Sequence, residues 1–333
     1  MRRHQFEAPH VHRFFERSGP VGPAKVGFAS MDQIKLTAEM LADGWSPAEL
    51  DRMARSGKVQ RIRRGAYDWA PAQSLDRREL HRRLIAATVR QTSVDAAISH
   101  MSAAVLHLLP IWNYQLRKVH LTRNQSGGGK VRRYVHLHVA PLADKDICEI
   151  DGHRVTTLAR TVLDLLRTLS VEHSVPIGDA ALRLGLTVEE LAEVAGRCIG
   201  WRGIVQARRA MNFLDARSES VGESYSRVIL DRIGIPAPIP QYEVWSHGVL
   251  VGRADFCWKE LRTLGEFDGM QKYGSLLKPG QTAAEAVFEE KRREDALRDL
   301  GWQIVRWIWE DLDRPVELRR RLERAFERGL RAA

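Results

Sequence analysis

Asp255, Glu266 and Asp268 lie close together in the run Arg253-Ala-Asp255-Phe-Cys-Trp258 and, beyond a short polar turn, Leu264-Gly-Glu266-Phe-Asp268-Gly269. Alternating apolar residues (Val249, Val251, Phe256, Trp258) and the turn-like Lys259-Glu260-Leu261-Arg262 predict a hairpin whose two strands carry Asp255 and Glu266 near one edge. Carboxylates held so close repel each other unless a divalent cation lies between them. Oxygen ligands from two or three acids suit Mg²⁺ or Mn²⁺. Such ions can activate an in-line water and neutralise the charge that develops as a phosphodiester is hydrolysed. The alternative is a solvated strand edge whose acids pair with neighbouring arginines.

Ser220-Val-Gly-Glu223, expected on a helix, precedes these strands. The order Ser220-x-x-Glu223, Asp255-Phe256, Glu266-Phe-Asp268-Gly269 resembles the PD-(D/E)xK nucleases, in particular the branch akin to the very-short-patch mismatch repair endonuclease. The resemblance implies an α/β restriction-endonuclease-like domain, a mixed sheet flanked by helices, over residues 216–333. It implies that Asp255 and Glu266 hold the metal, that Asp268 is a further ligand or orienter, and that Glu223 assists from the preceding helix. The chain departs from the pattern at one position. Many members carry lysine two residues after the glutamate, and here that residue is Asp268. Lys272, in Gln271-Lys272-Tyr273, is the candidate replacement if the chain returns toward the metal.

The chain has 333 residues and a formal net charge of +10, enough length for two or three domains. All of the excess positive charge lies before residue 216, since lysines plus arginines equal the acids, 20 to 20, in residues 216–333. A basic module beside an acid-rich one suits an enzyme directed to DNA. It also suits a regulator attached to a neutral partner-binding domain. The three cysteines, Cys148, Cys198 and Cys257, are scattered and odd in number, which argues against a disulfide framework and a thiolate zinc site and favours a reducing cytoplasm. No run of eighteen apolar residues exists, so no membrane span is expected. Residues 1–30, with Pro9, Pro20 and Pro23, have no periodicity and read as a disordered tail or a basic arm on phosphates, with Met31 a possible start.

Residues 31–92 read as helix, turn, helix and hairpin. Thr37 is placed to cap a first helix ended by Gly44. Ser46-Pro47-Ala-Glu49 supplies an N-cap, a proline at the first helical position and an acid three residues after the cap. Lys58 to Tyr67 then alternates apolar and basic residues around Gly65. This stretch, ending in Arg64-Gly-Ala-Tyr67, resembles the winged-helix module that opens AbiEi-type antitoxins. The resemblance implies DNA binding, with Lys58, Arg61, Arg63 and Arg64 on phosphates and Ser46, Arg52 and Arg55 near the major groove. A winged domain that binds only protein has the same pattern.

Residues 93–215 form a middle α+β region. Ser99-His100-Met-Ser102 opens a helix, Val119-His-Leu-Thr122 and Tyr134-Val-His-Leu-His-Val139 read as strands, and Gly127-Gly-Gly129 reads as a hairpin tip near Lys130, Arg132 and Arg133. These segments, with residues 156–165, also resemble AbiEi-type proteins, so that likeness covers most of residues 31–215. His120, His136 and His138 share a strand face in principle, but no further ligand type is near in sequence. They are expected to be surface or core histidines. Thr187 with Glu190 predicts a capping box. The run Glu289 to Asp295 predicts a solvated helix, and Arg306, on a strand that looks buried, demands an acidic or phosphate partner.

Three function classes follow. The first is an Mg²⁺-dependent DNA endonuclease of bacterial defence. The second is an AbiEi-like antitoxin and repressor with an inactive nuclease-like domain, binding its operator and a cognate toxin. The third is a protein-interaction scaffold without chemistry.

Overall fold

A computed structural model describes residues 33–69, 76–92, 95–125, 127–269 and 282–332. The expected tail of residues 1–30, Met31 and Lys272 lie outside the described residues. The fold is mixed α and β, with three sheets among the described residues.

The first sheet is short. β1 (Ile34–Leu36) leads into α1 (Thr37–Ala42) and α2 (Pro47–Arg55), and β2 (Gln60–Arg63) and β3 (Ala66–Asp68) close the order β1-β3-β2. Ser46 caps α2 as its sequence predicts: its hydroxyl accepts from Glu49 N–H at 3.3 Å while the Glu49 carboxylate accepts from Ser46 N–H at 2.8 Å. Leu36, not Thr37, holds the N-cap position of α1. Met40, Leu50, Val59 and Tyr67 form the core between these helices and the hairpin.

The second sheet has the order β6-β7-β5-β4-β9-β8, built from β4 (Ala97–Ile98), β5 (Val119–Arg123), β6 (Lys130–Val131), β7 (Val135–Val139), β8 (Ile147–Ile150) and β9 (His153–Thr156). β5 runs parallel to β7, with His120 opposite His136 and Thr122 opposite His138. α3 (Arg77–Arg90) and α4 (His100–Leu106) join its apolar core through Leu84, Ile85, Ala103 and Leu106. α5 (Leu158–Thr168), α6 (Val171–Arg183), α7 (Val188–Arg197) and α8 (Ile204–Met211) pack on α4 as a helical layer. Thr187 and Glu190 form the expected capping box of α7.

The third sheet has the order β10-β11-β12-β13, from β10 (Ile239–Ser246), β11 (Val249–Trp258), β12 (Thr263–Phe267) and β13 (Gln303–Trp307). The first two pairings are antiparallel and the last is parallel, so the sheet is mixed. Phe256, Trp258, Phe267, Val305 and Trp307 pack on α9 (Val221–Arg232) and α12 (Pro315–Ala332). Ala254, Cys257 and Leu264 share a second core with Leu297 of α10 (Ala283–Asp299). Successive strand residues point to opposite faces, and Glu266, beside Phe267 of the other face, lies on the α10 side of the sheet.

The boundary expected near residue 216 falls between α8 and α9, but the packing crosses it. Val228 of α9 belongs to the core of the helical layer, and Arg227 donates to Asp179 of α6 at 2.7 Å. Trp112 stacks on Trp309 with ring centroids 4.8 Å apart, and Phe267 meets Trp309 edge-on at 5.0 Å. This aromatic column ties the middle region to the strand end that carries Asp268. Among the described residues no helix is long and apolar enough to cross a membrane.

Candidate active site of the third sheet

Ser220 ends the chain's approach to α9 by accepting from Glu223 N–H at 3.1 Å, so Ser-x-x-Glu begins as a helix cap. Gly222 then lets the helix settle on the sheet. A Cβ there would lie 1.9 Å from Phe267 Cε1, so only glycine allows this approach. Glu223, next along, is buried at the strand ends. Its Oε2 accepts from Glu219 N–H at 2.8 Å and from the Gln241 side-chain amide at 2.8 Å.

The same Gln241 Nε2 lies 3.5 Å from Asp255 Oδ1. Gln241 falls on β10 between the paired positions Pro240↔Phe256 and Tyr242↔Ala254, with a φ of 51°. A non-glycine residue in the left-handed region is strained, and such strain gathers at functional sites. Asp255 Oδ2 accepts from Phe267 N–H at 2.8 Å. The β11–β12 pairing ends at Phe256↔Gly265, and Asp255 and Glu266 are the next residues beyond that pair on the two strands. Gln241 thus joins Glu223 of α9 to Asp255 of β11, while Glu266 stands on the neighbouring strand β12.

Glu266 is buried and held by two arginines. Arg293 of α10 donates to Oε1 at 2.7 Å, and the Arg306 guanidinium of β13 lies 2.9 Å from Oε2. That second contact is an ion pair without hydrogen-bond geometry, which leaves Oε2 buried without a hydrogen bond among the described residues. Burial pushes the Glu266 carboxyl above its usual range against the pull of Arg293 and Arg306. Glu290 shows the reverse balance. Burial would raise it, but hydrogen bonds from Arg293 and Arg306 outweigh burial and bring it down to about 2. Arg306 also lies 3.7 Å from Asp268 Oδ2 and 3.2 Å from Glu294 Oε2, so it has the acidic partners its position demands.

The charged run on α10 corrects one expectation. Lys291, Arg292 and Asp295 are exposed, but Glu290, Arg293 and Glu294 form a half-buried stripe facing Glu266 and Arg306. Helical spacing of three and four was the available signal. It shows which residues share a face, and nothing local shows that the face meets buried charge. Asp268, the further ligand or orienter that the resemblance implies, shares Arg306 with Glu266. Among the described residues, the ligand-type side chains that gather in a metal-sized group are His100, His120 and His138.

The proposed DNA contacts divide into two groups. Arg52, Arg55, Lys58, Arg61 and Arg64 are exposed on α2 and the β2–β3 hairpin. Arg63 is instead turned inward: it donates to Thr88 Oγ1 at 2.7 Å and lies over the Tyr134 ring at 5.4 Å. Ser46 is half-buried, its hydroxyl committed to Glu49.

Together these features define an α+β protein with a carboxylate-and-arginine site on the edge of its third sheet. No family model matches the chain. It is similar to two uncharacterized proteins of Mycobacterium tuberculosis, MT2308 of strain CDC 1551 / Oshkosh and Rv2248 of strain ATCC 25618 / H37Rv. Each is 30% identical over 204 residues, which covers 61% of this chain and 72% of the relative. The chain belongs to the family of these two proteins.

Proposed function

We propose that this chain is a DNA-binding protein of bacterial defence, in which a winged-helix module grips duplex DNA and a PD-(D/E)xK-like domain hydrolyses phosphodiester bonds with Mg²⁺ or Mn²⁺. The observation that carries this reading is that Asp255 and Glu266 directly follow the last pair of the adjacent strands β11 and β12, with Glu223 joined to Asp255 through one amide nitrogen of Gln241.

All three side chains offer the carboxylate oxygens that a hard divalent cation takes, but they are not gathered within one ion's reach: the Gln241 amide bridges Glu223 and Asp255, and Glu266 is held by Arg293 and Arg306. Glu223, Asp255 and Glu266 would hold the ion by drawing together. When bound, it would supply Lewis-acid stabilisation of the phosphoryl oxygens and a coordinated water of lowered pKa. The chain's own contribution is orientation. Phe267 N–H fixes one oxygen of Asp255, Glu219 N–H fixes Glu223, and Arg293 provides at Glu266 the positive charge that Asp268 cannot provide at the usual lysine position. Exposed Arg52, Arg55, Lys58, Arg61 and Arg64 support phosphate contacts by the α1–α2 pair and the hairpin wing.

One observation favours a second reading. Arg293 and Arg306 together cancel the charge of Glu266, which suits an AbiEi-like antitoxin and repressor whose nuclease-like domain is inactive and whose partners are its operator and a cognate toxin. Incubating the purified chain with plasmid and linear DNA in Mg²⁺ or Mn²⁺, beside an Asp255→Asn/Glu266→Gln variant, separates the two. Nicking by the native chain alone supports the nuclease. Tight binding with no cleavage by either protein rejects it and leaves the repressor.

A further inference from the structure

We infer that His100, His120 and His138 form a transition-metal site in the middle region, taking Zn²⁺ on three imidazoles with a fourth position open to water. One ring nitrogen from each of the three lies within 4.8 Å of the other two. This overturns the expectation that the strand histidines lack further ligands, since His100 arrives from a different element.

The convergence is built by the fold. Parallel pairing of β5 with β7 puts His120 and His136 opposite each other and His138 one step along the same face. His100 enters from the start of α4 and stacks on His138, ring centroids 3.7 Å apart and planes 13° from parallel. Its φ of 50° is left-handed, a conformation that costs a histidine about 1–3 kcal/mol and is kept where the surroundings demand it. His136 continues the stack on the more open side, 4.0 Å from His138.

The nitrogens are within reach of one ion, and because His100 stacks nearly parallel on His138, one of these two rings must turn for both lone pairs to meet it. His120 Nδ1 and His138 Nε2 are 3.0 Å apart, sharing one proton. Two imidazole nitrogens on a tetrahedral Zn²⁺ stand roughly 3.3 Å apart, from Zn–N bonds of about 2.0–2.1 Å, so a slight opening of this pair admits the ion. The shared proton then moves to the outer nitrogen of its own ring, and both ligands stay neutral. His100 Nδ1 lies 3.0 Å from Ser99 Oγ, which itself receives a hydrogen bond from Thr122 Oγ1 at 2.7 Å. Hydroxyls can reverse direction, so Ser99 can accept from Nδ1–H and leave Nε2 unprotonated for metal, as partners of metal-bound histidines do. Burial keeps all three histidines neutral, at about 4, about 3 and about 2 respectively. Asp164 faces His100 and His138 and supplies negative charge nearby, though it also pairs with Arg160 and Arg167. Imidazole ligands suit Zn²⁺ and its neighbours rather than Mg²⁺, so this site is chemically distinct from the carboxylate edge.

The test is titration of the full metal-free chain with Zn²⁺ by calorimetry and with Co²⁺ by visible absorption. Expected are one tight equivalent and the intense bands of tetrahedral cobalt. His138→Gln should abolish both. Ser99→Ala, which keeps all ligands, should weaken binding about 10-fold. Absence of tight uptake by the native chain overturns the proposal. Uptake that persists unchanged in His138→Gln and Ser99→Ala overturns it as well.

Discussion

Arg293 donates to Glu266 Oε1 at 2.7 Å while also bonding Glu290, so one guanidinium from α10 ties a half-buried acid of its own helix to a buried one on β12. Under the nuclease reading this cation takes the part of the lysine missing at Asp268. Arg293→Ala should then lower Mg²⁺-dependent cleavage about 10²–10³-fold, the usual cost of one positioned donor, and leave DNA affinity nearly unchanged. Arg293→Lys should recover most of the rate. Gel assays of supercoiled plasmid beside filter binding measure both quantities. A rate unchanged in Arg293→Ala would remove Arg293 from the site.

Arg61 and Arg64 are exposed on the β2–β3 hairpin, whereas Arg63 between them is bonded to Thr88. Each arginine that neutralises a phosphate adds about one unit to the salt slope of DNA affinity. The double change Arg61→Ala/Arg64→Ala should therefore reduce that slope by about 2. Arg63→Ala should leave the slope alone and instead lower stability by about 1 kcal/mol through its lost hydrogen bond. Binding isotherms across a range of KCl concentrations, with thermal melts, check the division. A slope that falls with Arg63→Ala would reverse it.

How much of this could be read from the sequence differs from element to element. The β11–β12 hairpin is legible because its apolar alternation is clean and its turn is polar. β10 is not: Pro240 and a register shift between Val244 and Trp245 break the alternation, and Gln241, the residue that links Glu223 to Asp255, carries no local signal. α6 carries Pro176 in its interior, and an interior proline reads as a break in the sequence. The histidine cluster depends on a parallel strand pairing and on the φ of His100, and neither is encoded in spacing. The stripe Glu290, Arg293 and Glu294 has the composition of a solvated face, and only the tertiary position of Arg306 makes it part of a buried network.

His81 is buried with both ring nitrogens engaged, Nδ1 3.0 Å from the Leu116 carbonyl and Nε2 2.9 Å from Ser102 Oγ. Burial lowers it to about 4, partly opposed by the bond to Leu116. The folded protein therefore resists the proton that the unfolded chain accepts below about 6.5. Stability from this group is complete above that pH and falls as the pH drops from 6.5 toward 4, at about 1.4 kcal/mol per unit. His120 lies near and is also depressed, but it is common to native protein and variant. His81→Gln should start less stable at neutral pH and lose less on acidification. Denaturant melts at several pH values between 7.5 and 5, on a scale where ~1 kcal/mol per pH unit is resolved, check it, and parallel pH profiles would show that His81 does not titrate on unfolding.

Gly222 and Gly196 are both helical glycines, and the structure gives them opposite signs. Alanine normally stabilises a helix interior by about 0.5–1 kcal/mol over glycine. Gly196 on α7 has nothing within 4 Å of an added Cβ, so Gly196→Ala should raise the melting temperature. At Gly222 the added carbon meets the Phe267 ring at 1.9 Å, and that ring is pinned against Trp309. α9 must then lift from β12, at a cost of about 1–3 kcal/mol for an overpacked core, and Glu223 is carried away from Gln241. Gly222→Ala should thus lower stability and, under the nuclease reading, cleavage. Adding Phe267→Leu should return part of both by making room. Thermal melts and plasmid assays on the single and double variants test the packing argument, because a change in helix propensity alone would not respond to residue 267.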